Sequence, residues 1–278
     1  MSLRKRLGVS ADLCWKPLLV HLAEENLFER QVGVPAHHAL QLRKQELDAA
    51  LLTPVDYARD SSALVIVPGV GVSSRDATGT ITLVFRNALH TVATVAIDPS
   101  SASEIVLTKI LLAEQFDLEP RFVPAVGSLQ ERLARADAAL VVGDVSLNLS
   151  ANHPNRIDLV EAWTDMTDLP YVHGIWCATE GALNADHAHA LRRAGRRGAA
   201  SLDALATDHA GPRFPGLSAP DLSAYLHTFS YTLNDEDLDG LAEFLRYSFF
   251  HGIVPDVAEL RFLDEEAPSS EADDPPSR

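Results

Sequence analysis

The chain has 278 residues, 46% of them hydrophobic and 22% charged, and a net charge of −16. That composition describes a globular protein of one large domain or two ordinary ones, and its acidity argues against nonspecific binding of nucleic acid or anionic membrane, which need basic surface. No apolar run of 18 residues, secretory leader or disulfide framework is visible, so we expect no membrane span and a reducing, cytoplasmic setting for Cys14 and Cys177.

In chain order, Lys5 to Ser10 reads as a first strand. Pro17 opens a helix with Leu18, Leu19, Leu22, Ala23 and Leu27 on one face. Gln31 to Pro35 is a short strand, His38 to Leu47 a helix, and Ala49 to Leu52 a buried strand ending at Thr53-Pro54. This βαβαβ opening implies a parallel sheet with helical crossovers. Ala63 to Val67 and Gly79 to Arg86 add strands on either side of a Gly/Ser/Asp-rich loop, Pro68 to Thr78.

Asn87 to His90 is a polar joint, after which the rhythm restarts: strand 91–97, helix 101–116, strand 121–124, helix 127–136 and strand 138–142. Tyr171 to Cys177 reads as a strand leading out of this second unit. Helices are expected at 186–197, 201–209, 217–230 and 235–251, with the GPRFPG stretch at 211–216 as a breaker. Residues 264–278 hold six acids and one arginine among Pro and Ser, the composition of a disordered tail. The fold class that follows is α/β with two lobes: 1–88 plus 178–264 as a discontinuous first lobe, 89–177 as the second, a ligand cleft between them and a tail at 265–278.

Ligands of open α/β sheets bind beyond the C-terminal strand ends. Here those ends are Thr53-Pro54, Asp98 to Ser101, and Gly143-Asp144. The stretch IDPSSASEIVLTKILL (97–112) carries a strand into a helix and leaves amide donors and the hydroxyls of Ser100 and Ser101 at one point, which favours a carboxylate or phosphate. Thr53 and Gly143 are placed as ligand contacts. Asp144 is either another contact or a cap of its own segment. The Thr80 hydroxyl begins a strand, and Tyr171 and His173, two apart on another, point to one side, where Tyr171 is placed as a substrate contact. His173 near a cleft is a candidate base. His37-His38 and His187-x-His189 lack the spacing of a metal site and read as solvated helix positions, so no metal is assigned. No Walker loop, G-x-G-x-x-G or G-x-S-x-G is present.

Taken together, LDAALLTPVDYAR (47–59), IDPSSASEIVLTKILL (97–112), DAALVVGDVSL (137–147), DLVEAWTDMTDLPYVHGIW (158–176) and LSAYLHTFSYTLNDEDLDGLAEF (222–244) resemble the menaquinone-biosynthesis dehydratases of the futalosine route. The resemblance implies a type II periplasmic-binding-protein-like fold and chorismate dehydratase activity. A chorismate-like dicarboxylate would lie between the lobes and lose water to give 3-(1-carboxyvinyloxy)benzoate, with no metal or organic cofactor. It leaves a non-catalytic carboxylate binder, or the route's dehypoxanthine futalosine cyclase, as alternatives. Cys14 stands where the family usually has an asparagine held to be important for catalysis, Thr80 where it has serine, His173 where it has an aromatic residue and Asp168 where it prefers glycine. Cys14, Thr80 and His173 are therefore the expected catalytic positions, and the base is His173, Cys14 or a carboxylate of the substrate itself. Apolar Phe249-Phe250 is a place for a homodimer contact.

Overall fold

The computed structural model describes residues 4–149 and 154–264. The expected acidic tail, 265–278, lies outside the described residues. Two separate five-stranded sheets carry the chain. In the first, β1 (Lys5–Val9) lies parallel to both β2 (Phe28–Val32) and β3 (Ala49–Leu52). In the second, β6 (Thr94–Ile97) lies parallel to β7 (Arg121–Pro124) and β8 (Ala138–Val142).

Each sheet is completed by an antiparallel strand and one more edge. β10 (Tyr171–Thr179) inserts between β3 and β4 (Leu64–Ser74), antiparallel to both. β5 (Ile81–Phe85) inserts likewise between β8 and β9 (Arg156–Asp158). The chain thus leaves the first sheet after β4 and returns as β10. This corrects the sequence reading at both crossings: strand 81–85 belongs to the second sheet, not the first, and strand 171–179 to the first, not the second. The polar joint at 87–90 misled because it follows β5 rather than preceding it.

The helices are α1 (Pro35–Arg43), α2 (Pro54–Ala58), α3 (Ala102–Phe116), α4 (Leu129–Arg135), α5 (Asp144–Leu147), α6 (Leu159–Thr167), α7 (Ala185–Ala199), α8 (Leu202–His209), α9 (Ala219–Leu226) and α10 (Asp235–Phe250). None among the described residues is long and apolar enough to cross a membrane.

Three local expectations fail. The helix expected from Pro17 is two 3-10 turns, Leu13–Leu18 and Leu22–Glu25, pressed so closely under α7 that a Cβ at Gly198 would strike the Pro17 carbonyl. The second strand starts at Phe28, and Pro35 opens α1 instead of closing the strand. The loop expected at 68–78 is strand as far as Ser74. Gly71 is there because a Cβ would meet Leu233 Cδ1 at 2.5 Å and the Gly174 carbonyl at 2.7 Å, so the glycine marks a close approach and not a break.

The crossings run side by side. Asp158 accepts from the amides of Thr78 (3.1 Å) and Gly79 (2.6 Å) on the outward crossing and caps α6 through those of Val160 (2.9 Å) and Glu161 (3.2 Å). Arg75 binds the Asp168 carboxylate at 2.9 Å on the return crossing and pairs with Glu236 of α10. One apolar core runs between the sheets, joining Leu52 and Val55 to Ile81, Ile97 and Val106. A second lies on the far face of the first sheet, under α7, α8 and α9, around Trp176, Leu191 and Leu222.

Candidate functional site

The strand ends of the two sheets meet at a cavity of about 200 Å³. Seven of the nine site residues chosen from the sequence line it: Cys14, Thr53, Thr80, Ser100, Ser101, Gly143 and His173. Asp144 and Tyr171 do not.

Asp144 stands behind the wall. Its carboxylate accepts from the Leu13 amide at 2.8 Å and from Arg213 at 2.5 Å, and Arg213 also donates to the Ala11 carbonyl at 2.9 Å. It therefore fixes the 3-10 turn that carries Cys14. Burial raises its pKa, against the Leu13 and Arg213 bonds. Gly143 (φ +77°) presses its Cα toward Asp12, so that a Cβ would lie 3.3 Å from Asp12 Oδ1. Tyr171 is buried edge-on to His173, with ring centroids 5.0 Å apart, and supports that ring from behind.

His173 faces the cavity through an irregularity in β10: the register against β4 slips between Val172 and Gly174, an extra residue that re-aims the side chain. Nε2 lies 2.7 Å from Ser74 Oγ. Burial lowers its pKa to about 3, so the ring is neutral at physiological pH. The next residue, Gly174, has no Cβ because the Trp15 ring, another wall of the cavity, occupies that space.

Cys14, on the 3-10 turn after β1, and Thr80, just before β5, share a partner that sequence reasoning missed. Tyr225 of α9 places its hydroxyl 3.0 Å from Thr80 Oγ1 and against the Cys14 thiol. Burial, then Asp12 and Asp144, push the Cys14 pKa well up, so the sulfur is a thiol and not a thiolate. Nothing in the local pattern SAYLHTF pointed to Tyr225; the contact spans 145 residues.

At the head of α3 the donors divide. Ser100 gives both its amide (2.9 Å) and its hydroxyl (2.7 Å) to Asp98 Oδ1, so those donors are already engaged. Ser101 occupies the N-cap position without a side-chain cap bond and lines the cavity at the head of this 15-residue helix; its own amide bonds the Asp98 carbonyl at 3.1 Å, and the next two residues, Ala102 and Ser103, are buried behind it. Ser103 Oγ accepts from the Val55 amide at 2.9 Å, tying α3 to the start of α2 across the two sheets. Thr53 lines the cavity but is buried, and its hydroxyl is engaged, donating to Asp56 at 2.7 Å.

Glu104 also lines the cavity and was not foreseen. Ser101-x-x-Glu104 has the spacing of a capping box, in which the glutamate turns back to the cap. Here no cap bond forms and the carboxyl turns inward, only 8% exposed. Burial raises its pKa to about 7, helped by Asp56 and Asp12. The signal available in the sequence was position: three residues after Ser101, it shares that serine's face of the helix.

Elsewhere, His38 is buried against Gly8 and Gly33 rather than solvated as expected, and burial lowers its pKa to about 4. Among the described residues no group of three His, Cys, Asp or Glu side chains is gathered as metal ligands would be.

The family model for menaquinone biosynthesis matches residues 5–249. A chorismate dehydratase from Thermus thermophilus is 29% identical over 230 residues, which cover 76% of this chain and 83% of that protein. The fold matches the periplasmic aliphatic sulphonate binding protein SsuA of Escherichia coli, with a TM-score of 0.63 at 15% identity over 100% of this chain and 98% of that one. It also matches the Candida albicans CA3427 gene product, described as having the generic periplasmic binding protein fold, with a TM-score of 0.68 at 11% identity over 96% and 99%.

Proposed function

The chain belongs to the menaquinone biosynthesis family, and on that premise we propose that it is a chorismate dehydratase, converting chorismate to 3-(1-carboxyvinyloxy)benzoate and water. The observation that carries this reading is the start of α3, where Ser101 holds the N-cap position without a side-chain cap bond and lines a cavity walled by both sheets. A helix N-terminus of this kind holds a carboxylate. The similarity to the Thermus thermophilus enzyme supports the choice of substrate.

The reaction removes the proton from ring C3 and expels the C4 hydroxyl, and the ring becomes aromatic. The protein's work is to hold the carboxylates, orient the ring and exclude competing rearrangements. Ser101 and the α3 amides serve one carboxylate. The Thr80 hydroxyl, oriented by Tyr225, is a donor from the opposite wall. For the base, His173 is neutral, with a lone pair on Nδ1 in the tautomer that donates Nε2–H to Ser74, but the burial that lowers its pKa to about 3 also makes it a weak base. Cys14 as a thiol is a weak donor and no base. A carboxylate of the substrate is the other available base. Both cysteines are free and buried, which suits a cytoplasmic enzyme.

The test is incubation of the purified protein with chorismate, followed by mass spectrometry. The expected product has lost one water and shows a benzoate ultraviolet spectrum. Chorismate bound but recovered unchanged would replace this reading with that of a non-catalytic carboxylate binder.

A further inference from the structure

Among the described residues, three carboxyls line the cleft wall, Asp12, Asp98 and Glu104, and no lysine or arginine does. A dianion must therefore be received by groups that themselves tend to be negative. The three acids are not equivalent. Asp98 accepts the amide and hydroxyl of Ser100. Asp12 accepts the Ser10 hydroxyl at 3.3 Å. Asp56, just behind the wall, accepts from Thr53 and has Arg59 at 3.8 Å. Glu104 receives nothing beyond its own backbone N–H, although it is more than nine-tenths buried. Other titratable groups of the cavity and of its backing carry no positive charge: His173 is neutral, Cys14 is a thiol, and Tyr171, which senses the Glu104 charge, is a phenol whose hydroxyl has no hydrogen-bond partner among the described residues.

We propose that Glu104 is the proton-bearing specificity determinant of this cleft: it is carboxylic acid whenever an anionic ligand is seated at the head of α3, and it donates its O–H to that ligand. The inference rests on the dehydratase reading for the identity of the ligand. Its basis is geometric. Glu104 and Ser101 share one face of the first turn and both line the cavity, so a carboxylate held at Ser101 lies against the Glu104 carboxyl. Two unpaired negative charges that close in a buried site cannot both persist, and the group without a partner takes the proton. A titration placed near neutrality makes that proton available at small cost. Binding and protonation are then one linked equilibrium.

The experiment is calorimetric titration of the product, 3-(1-carboxyvinyloxy)benzoate, which the reaction does not consume, into wild type and Glu104→Gln, from pH 5.5 to 8.0, in pairs of buffers with different ionisation enthalpies. Wild type is expected to take up about one proton per ligand at pH 8.0 and little at pH 5.5. Its affinity should weaken about tenfold per pH unit above neutrality. Glu104→Gln, which replaces the O–H donor with an N–H donor and cannot ionise, should bind without proton uptake and with little pH dependence. No uptake by wild type at pH 8.0, or unchanged uptake by Glu104→Gln, overturns the proposal. Absence of heat with this ligand at every pH overturns the dehydratase reading instead. Carbon-13 NMR of glutamate-labelled protein then decides Glu104 separately, since the carboxyl resonance lost in Glu104→Gln should titrate near neutrality. A resonance in the ordinary carboxylate range would overturn the assignment whatever the ligand.

Discussion

Glu104 links stability to pH as well as binding. Its folded-state pKa, about 7, lies above the ordinary value of 4.5. Relative to glutamine, its contribution to stability is fully present below about pH 4.5 and is lost as pH rises through about 7. Glu104→Gln should therefore melt with wild type at acidic pH and become the more stable form by pH 8, by on the order of 3 kcal/mol. Denaturant unfolding at pH 4.5 and 8 checks this; a constant difference would contradict the burial of an ionisable carboxyl. Cys14 makes a second prediction at this scale. The thiol sits where the resemblance expects an asparagine, with the Tyr225 hydroxyl beside it. Cys14→Asn should raise the turnover of chorismate by about tenfold or more, since one well-aimed donor is worth about 10²–10³ in rate. Steady-state rates of the two forms decide it. Thr53, Thr80, Ser100, Ser101 and Gly143 were legible in the sequence because they sit at strand ends and helix starts. Glu104 was hidden by a pattern that also reads as a cap, and Tyr225 by its distance along the chain.

At the scale of elements, the site is held by contacts that sequence periodicity does not contain. Asp144 couples β8 to the turn carrying Cys14. Asp144→Ala leaves the Leu13 amide and Arg213 without their shared acceptor, at a cost of about 1–3 kcal/mol for the buried donor. Chorismate binding should weaken while Glu104 still titrates near neutrality, which a direct ligand contact alone would not require. Gly198 marks where α7 rests on the Pro17 turn. Gly198→Ala should cost about 1–3 kcal/mol, because the backbone it would strike cannot rotate away as a side chain can; thermal unfolding measures it. The regular strands and most helices were readable from their apolar spacing. The 3-10 turns and the continuation of β4 through PGVGVSS were not, because glycines that admit a neighbour look the same in sequence as glycines that break a strand.

The whole molecule repeats one plan twice: three parallel strands, an inserted antiparallel strand and one further edge. Each inserted strand comes from beyond a crossing, so each sheet is closed by chain that has visited or is about to visit the other. That exchange is why the sequence restart at 91 was a correct sign of two units and a poor guide to their borders. We propose lobe boundaries near 75 and 170, where Arg75 and Asp168 bind the crossings together. Phe249 and Phe250, at 37% and 67% exposure, end α10 on the outer surface, and the dimer contact expected there is a proposal for light scattering.

The central claim is that a dicarboxylate is held between the sheets with one carboxylate at the head of α3. A crystal structure of the protein with 3-(1-carboxyvinyloxy)benzoate tests it most directly. The account predicts one product carboxylate on Ser101 and the α3 amides, with Glu104 within hydrogen-bond distance and Thr80 on the opposite wall. Product bound outside this cavity, or lying in it with neither carboxylate on α3, would contradict the account.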